Sequence, residues 1–172
     1  GTYNLDAPHK GGRILDEILS LFVNYCNLKD LNLLKKNNIR IVTFGRKQGF
    51  KINTPQIFWS HLNEIKGDKS LNSLYRCADI FISPSTGCNA PSTIREASSN
   101  HIPVVAFNNG EASEAIKNNV NGHLISNYDK EKFAKAIFDI LFNKNLYEDK
   151  KWQELLSLRY SSKTEAEMII GK

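Results

Sequence analysis

Short β-rich apolar runs, most of them closed by glycine, proline or asparagine, alternate along this chain with segments whose apolar residues recur at helical spacing. That alternation constrains the fold more than any other feature. From Arg13 to Asn27, residues Ile14, Ile18, Leu21, Phe22 and Tyr25 give one apolar helix face. Ile39 to Phe44, ended by Gly45, reads as a buried strand, and Gln56 to Ser60 is a weaker strand candidate. Leu71, Leu74, Tyr75 and Ala78 mark a short helix before the run Ile80 to Ser83, which Pro84 stops. The series continues with a helix from about Pro91 to Asn100, a strand at Val104 to Phe107 and a turn at Asn108-Asn109-Gly110. It closes with a short helix around Ser113 to Lys117, a strand at His123 to Ile125, and a helix from Lys130 to Asn143 with Phe133, Ile137, Ile140 and Leu141 inward. Short apolar strands that alternate with helices imply a parallel sheet covered on both faces, a Rossmann-like α/β domain.

The 172 residues suffice for one well-buried domain and are too few for two ordinary domains with a cleft between them. The expected unit is therefore 1–172, with its core in about 9–142. Residues 146–172, including Trp152, Leu155, Leu156, Leu158 and Tyr160, look helical after a break near Asn143 to Asn145 and are expected to reach toward another domain. Gly1-Thr2-Tyr3 reads as the end of a strand that begins upstream. A net charge of +5 favours an anionic partner, but the lysines are scattered, so nucleic acid, anionic lipid and a diphosphate ligand all fit the charge. No apolar run approaches the roughly 20 residues that span a bilayer. Three cysteines, Cys26, Cys77 and Cys88, without a C-x-x-C pair, fit a reducing cytoplasm. Cys26 and Cys77 fall in predicted helices and are expected in the core.

In a doubly wound sheet, ligands bind outside the carboxyl ends of the strands, where loops enter helices. Two segments occupy such places. In the first, Ala7 to Arg13, Gly11 and Gly12 would let backbone approach a phosphate while Lys10 and the helix start supply positive potential. A solvated surface loop explains the same residues. In the second, Ser83 to Ala97, Pro91 suits a first helical turn, amides near Ser92 and Thr93 could receive an anion, and Glu96 could accept hydrogen bonds from vicinal hydroxyls. Ser92 as a plain cap, with Glu96 solvated or paired to Arg95 or another neighbour, is the competing account. His61, His101 and His123 are dispersed without carboxylates at ligand spacing, so no metal site is expected. Asn108 to Glu111 and Asn121-Gly122 read as turns.

The collinear run of Ser73 to Ser85, Asn89 to Ala97 and Ile102 to Phe107, continued by Gly110, Glu114 and Val120-Asn121-Gly122, resembles the retaining GT-B glycosyltransferases of bacterial polysaccharide type. His9-Lys10-Gly11-Gly12 lies where that family places a basic residue followed by Lys-Gly. The resemblance implies the C-terminal, donor-binding half of a GT-B fold. It further implies a nucleotide-diphosphate sugar as donor substrate with no cofactor, no nucleic acid partner, and a saccharide or lipid-linked acceptor. The acceptor side would come from an N-terminal domain of the same protein. Donor-binding residues are then His9, Lys10, Gly11, Cys88, Asn89, Ala90, Pro91, Ser92, Thr93 and Glu96. Of the family's two glutamates, spaced about eight positions apart, Glu96 fits the second, expected on the ribose hydroxyls, whereas Cys88 stands at the first. A thiol is no carboxylate acceptor. The arginine of the basic pair is also unmatched, with His9 in the neighbouring place.

The expected function is hexosyl transfer in surface polysaccharide biosynthesis, in the cytoplasm or at the inner membrane surface, with the present chain inactive alone and no catalytic residue assigned. The alternative is a nucleotide-sugar-binding module that lost catalysis with the first glutamate. A dinucleotide-dependent oxidoreductase would need a G-x-G-x-x-G after a strand, and none is present.

Overall fold

The computed structural model describes residues 8–45, 51–87, 92–110 and 112–143. In chain order these form α1 (Gly12–Lys29), α2 (Leu33–Asn37), β1 (Arg40–Phe44), β2 (Phe58–Leu62), α3 (Asp68–Arg76), β3 (Phe81–Ser83), α4 (Ser92–Ser99), β4 (Val104–Phe107), α5 (Ala112–Ala115), β5 (Gly122–Ile125) and α6 (Lys130–Phe142). Single 3-10 turns occupy Pro8–Lys10 and Ser126–Tyr128. The expected strand at residues 1–3 and the expected helices at 146–172 lie outside the described residues. Among the described residues, no helix is long and apolar enough to cross a membrane.

Strand β4 shows why the apolar runs are continuous. All four of its residues are buried. Val105 and Phe107 enter one core with α1 and α6, while Val104 and Ala106 enter a second with Tyr75, Ile94, Ala97, Ala112 and Ala115 of α3, α4 and α5. A strand covered on both faces has no side that can remain polar. Helix α1 meets the first core through Leu15, Ile18, Leu19, Phe22, Val23 and Cys26, a helical stripe, and each such side chain removed from water contributes about 1.5–3 kcal/mol before ordering costs. Helix α6 joins it by the edge-on contact of Tyr25 with Phe138, ring centroids 4.8 Å apart. Asp129 starts α6, its carboxylate accepting from the Lys132 N–H at 2.9 Å.

All strand pairs are parallel, as the alternation predicts, but they form two ladders. β1 pairs with β2, from Arg40 opposite Phe58 to Phe44 opposite Leu62. β3, β4 and β5 pair in that order, Phe81 lying opposite Val104 and Val104 opposite Gly122. Among the described residues no ladder joins β1 to β3; between them is an apolar cavity of about 330 Å³, walled by Ile39 to Phe44 and Ile80 to Ile82 and bordered by Leu15, Leu19 and Phe22. β1 is less buried than its composition suggests. Arg40, Val42, Phe58 and Ser60 leave one face of the two-stranded ladder exposed. β2 also begins two residues later than expected, and α2 was not legible from so short a pattern.

The turn at Asn121-Gly122 is also a packed joint. Asn121 is fully buried, with its Oδ1 accepting from the Lys117 N–H at 2.6 Å and its Nδ2 donating to the Ala115 carbonyl at 2.7 Å. Gly122 opens β5, where a methyl group would meet the Val104 carbonyl oxygen at 1.9 Å. The expected turn is present, ending at Asn121 where Gly122 opens β5, and it is packed into the sheet as well. At the end of α4, His101 takes φ +62°, and the Ile102 and His101 amides return to the carbonyls of Ala97 and Ser98, both at 3.0 Å. This is the left-handed closure that glycine normally fills. His101→Gly is therefore expected to stabilise the chain by about 0.5–1 kcal/mol, since relief of the left-handed strain outweighs the added freedom of the unfolded chain. Urea unfolding would measure it, and a lower midpoint would show that the imidazole itself contributes.

Cys26 is buried, and burial pushes its thiol up to about 11. Cys77 is exposed, which corrects its placement in the core: it ends α3, its N–H reaching back to the carbonyls of Ser73 and Leu74, and its side chain lies beyond the packed stripe. Both are free thiols.

Candidate functional site

Helix α1 starts from an unusually close meeting of two backbones. Gly11 has φ +76°, and a Cβ there would lie 2.0 Å from the carbonyl oxygen of Pro84, just beyond the end of β3. No side chain fits that gap. Two residues earlier, the His9 carbonyl accepts from the Ser85 hydroxyl at 2.8 Å and from the amides of Thr86 and Gly87 at 2.9 and 3.2 Å. Gly87 completes the approach, since its Cβ would fall 2.9 Å from that of His9.

Two other carboxyl-end loops hold the same segment. After β4, the Asn109 side-chain amide donates to the Ser85 carbonyl. After β5, the Tyr128 hydroxyl donates to the Thr86 carbonyl at 3.4 Å, while its ring stacks edge-on against Phe107 with centroids 5.3 Å apart. The loops following β3, β4 and β5 are thus tied to one another and to the start of α1, at the sheet edge where α/β proteins take ligands.

This start is electropositive. The first turn of α1 contains no acidic residue. Lys10 is half-buried beside it, Arg13 is exposed within it, and among the described residues Lys10 has no carboxylate at ion-pair distance. The positive end of an 18-residue helix adds to these charges, and an anion is the natural complement. His9 is exposed, and what it gives the fold is its carbonyl.

The segment gripped by His9 leads toward α4, whose first residues are Ser92, exposed, and Thr93, half-buried. Ile94, Ala97 and Ser98 seat this helix in the second core. Glu96 is half-buried, and its Oε2 accepts from the hydroxyl of Tyr75 at 2.8 Å. Arg95 lies instead 3.9 Å from Glu114. The pairing of Glu96 with Arg95, one of the accounts open from sequence, is not the one observed. Tyr75 comes from α3 and is 2% exposed. Burial first, and the neighbouring Glu96 carboxylate second, hold its phenol well above the usual tyrosine range, so it stays a donor.

The helical spacing of Leu71, Leu74, Tyr75 and Ala78 places Tyr75 in the core, but nothing in that stripe signals the use of its hydroxyl. Tyr75 is the site residue that sequence reasoning missed. Cys88, Asn89, Ala90 and Pro91, expected at the donor, lie outside the described residues, as does Glu111. The cavity between β1 and β3 touches Pro84 but none of His9, Lys10, Ser92, Thr93 or Glu96. The candidate site is therefore a rim of loops and helix starts, distinct from that apolar cavity. His61, His101 and His123 sit apart: His61 shares a hydrogen bond with Thr43, His101 closes α4, and His123, on β5, has its pKa lowered chiefly by burial. Among the described residues, no three potential metal ligands gather.

Residues 28–153 match the family described as "Glycosyl transferases group 1". The match takes in α4 and the carboxyl-end loops, and begins within α1, after the Lys10 turn. No curated protein matches the chain significantly. Among solved structures, the crystal structure of TarM is similar with a TM-score of 0.67 and 19% sequence identity, over 96% of this chain and 32% of that one. At that identity the similarity speaks for the fold, and the present chain spans about a third of the length of that structure.

Proposed function

Because the chain belongs to the group 1 glycosyl transferases, we propose that it is the C-terminal, donor-binding domain of a retaining GT-B glycosyltransferase that takes a nucleotide-diphosphate sugar. The observation that carries this reading is the start of α1: a half-buried Lys10, with no carboxylate partner among the described residues, stands beside a helix N-terminus locked by Gly11 and His9 against the loop that leads to Glu96. Lys10 and the amides of the α1 and α4 first turns receive the diphosphate. As the bond to the sugar breaks, negative charge grows on the leaving diphosphate, and fixed positive groups favour that state over the ground state without needing a metal. Glu96 holds the ribose through its remaining acceptor capacity, and Ser92 and Thr93 line the approach.

The saccharide or lipid-linked acceptor is held by an N-terminal domain facing this one. The expected setting is hexosyl transfer in surface polysaccharide biosynthesis, in the cytoplasm or on the inner membrane surface. Without the facing wall, the proximity contribution, which reaches about 7–11 kcal/mol in favourable systems, is largely lost, so this chain alone binds donor but transfers no sugar.

A thermal-shift screen with UDP-, GDP- and ADP-sugars tests the site, since a ligand that binds only the native state raises the midpoint with its affinity. One nucleotide class is expected to stand out. A flat response to all three at millimolar concentration would remove the donor-domain reading.

Cys88, in the place of the first donor-side glutamate, favours a second reading, a domain that binds nucleotide sugar without catalysing transfer. Both readings predict binding, so the deciding comparison is transfer by the protein with its facing domain, carrying Cys88 or Cys88→Glu. Activity found only in the variant would establish the non-catalytic module.

A further inference from the structure

We propose that Tyr75 is a positioning residue for the donor ribose: its buried hydroxyl fixes one oxygen of the Glu96 carboxylate and thereby turns the other toward the vicinal hydroxyls of the nucleotide. The inference rests on the assignment of Glu96 above and deepens it. Tyr75 donates to Glu96 Oε2 at 2.8 Å, across 21 positions of sequence and between two helices, α3 and α4. The same hydroxyl lies 3.5 Å from the Thr93 carbonyl, so it is held at the first turn of α4 as well as at Glu96.

The ring that carries this hydroxyl has little freedom. It meets Phe44 and Phe81 edge-on, with centroids 6.1 and 5.7 Å away. A glutamate in mid-helix has three side-chain torsions, and an exposed carboxylate would sample many orientations around them. A phenol anchored in the core by two aromatic contacts selects one of those orientations. A carboxylate has about four lone-pair directions, so one donor on Oε2 leaves Oε1 able to accept from two neighbouring hydroxyls.

The chemistry also favours this division of labour. A phenol whose pKa is raised by burial and by the adjacent carboxylate keeps its proton throughout the ordinary pH range, so the contact is a permanent donor to Glu96. Glu96 itself remains half-buried. The ligand class recognised by the pair is a ribonucleoside diphosphate, read at the 2′- and 3′-hydroxyls.

The test uses the full chain and calorimetric titration with UDP, GDP and ADP, their 2′,3′-dideoxy counterparts, and inorganic pyrophosphate. Tyr75→Phe keeps the ring and removes only the hydroxyl. It is expected to weaken the ribonucleotide about 5- to 10-fold and to change the dideoxynucleotide and pyrophosphate by less than 2-fold. A purely structural role would lower all three affinities together, and that result would overturn the proposal. Glu96→Gln, measured alongside, separates the two levels of the argument. If it shows ribose-selective loss while Tyr75→Phe does not, Glu96 reads the ribose unaided and the role of Tyr75 is refuted. If Glu96→Gln shows no ribose selectivity, both the site and its positioning residue fall. Should Tyr75→Phe melt too low for titration, 3-fluorotyrosine at position 75, which retains the ring and changes the donor strength of the hydroxyl, must give a ribose-selective change for the proposal to stand.

Discussion

Gly11→Ala should both destabilise the chain by about 3 kcal/mol or more and remove anion binding at the start of α1. Two costs add. Holding a non-glycine residue at φ +76° costs on the order of 1–3 kcal/mol. The methyl would also stand 2.0 Å from the Pro84 carbonyl oxygen, and neither partner is the flexible end of a side chain, so the two backbones must part. Parting them loosens the bonds from Ser85, Thr86 and Gly87 to the His9 carbonyl and moves Lys10 away from the loop. Gly67→Ala carries backbone strain without a clash: at φ +85° and ψ 140° a side chain is strained, but a Cβ there meets nothing within 4 Å. That variant should bind the anion normally, whatever stability it loses, because no two backbones are forced apart. Normal anion binding by Gly11→Ala, titrated alongside it, would show that the contact with Pro84 does not shape the site.

Glu96→Gln should weaken nucleoside diphosphate binding by about 1.5–3 kcal/mol, a loss of roughly 10- to 150-fold, while leaving inorganic pyrophosphate almost unaffected. The substitution keeps the side-chain volume and removes the charge and one acceptor function. An amide can still accept from Tyr75 through its oxygen, but it then turns an NH₂ group toward the ribose, where acceptors are needed. Lys10→Ala should weaken both ligands, because both carry the diphosphate. Titration of the two ligands against the two variants yields four affinities. A Glu96 variant that loses both ligands equally, with its circular dichroism unchanged, would mean that Glu96 supports the loop and does not read the sugar.

The parts of this architecture that were legible in the sequence are those where a residue's surroundings repeat along the chain. Val104 to Phe107 had to be a buried strand because its apolar run is short, continuous and bounded by Pro103 and Asn108. The α1 stripe was equally plain. What escaped is set by partners remote in sequence. The exposure of Arg40 and Val42 on one face of β1 depends on what packs over the sheet, and the separation of the two ladders is a matter of register that no local pattern encodes. Cys77 seemed to belong to a core helix, but it falls at the helix end, where one position decides between core and solvent.

The candidate site shows the same division. Gly11 and Gly12 were recognised as a place for close backbone approach, yet the group that demands Gly11 is the Pro84 carbonyl, 73 residues onward by number. The helical spacing placed the ring of Tyr75 in the core but carried no signal for its hydroxyl, which acquires a meaning only when α3 and α4 lie side by side. Asn121-Gly122 had the composition of a turn, and it is the burial of Asn121 and the nearness of Val104 that make it a joint of the sheet.

The hydrogen bonds that grip the Ser85 to Gly87 segment are accepted by the carbonyl of His9, while its side chain only packs against Gly87. Any residue at position 9 presents the same oxygen, so those bonds can persist while the outer part of the side chain changes. Position 9 is thus open to drift or to selection at the rim of the candidate site, whereas Gly11, two residues further on, has no freedom to vary. Across natural variants of this chain, ligand preference could shift through position 9 without the scaffold being rebuilt. A binding site arranged in this way separates what must be conserved for folding from what can be altered for recognition.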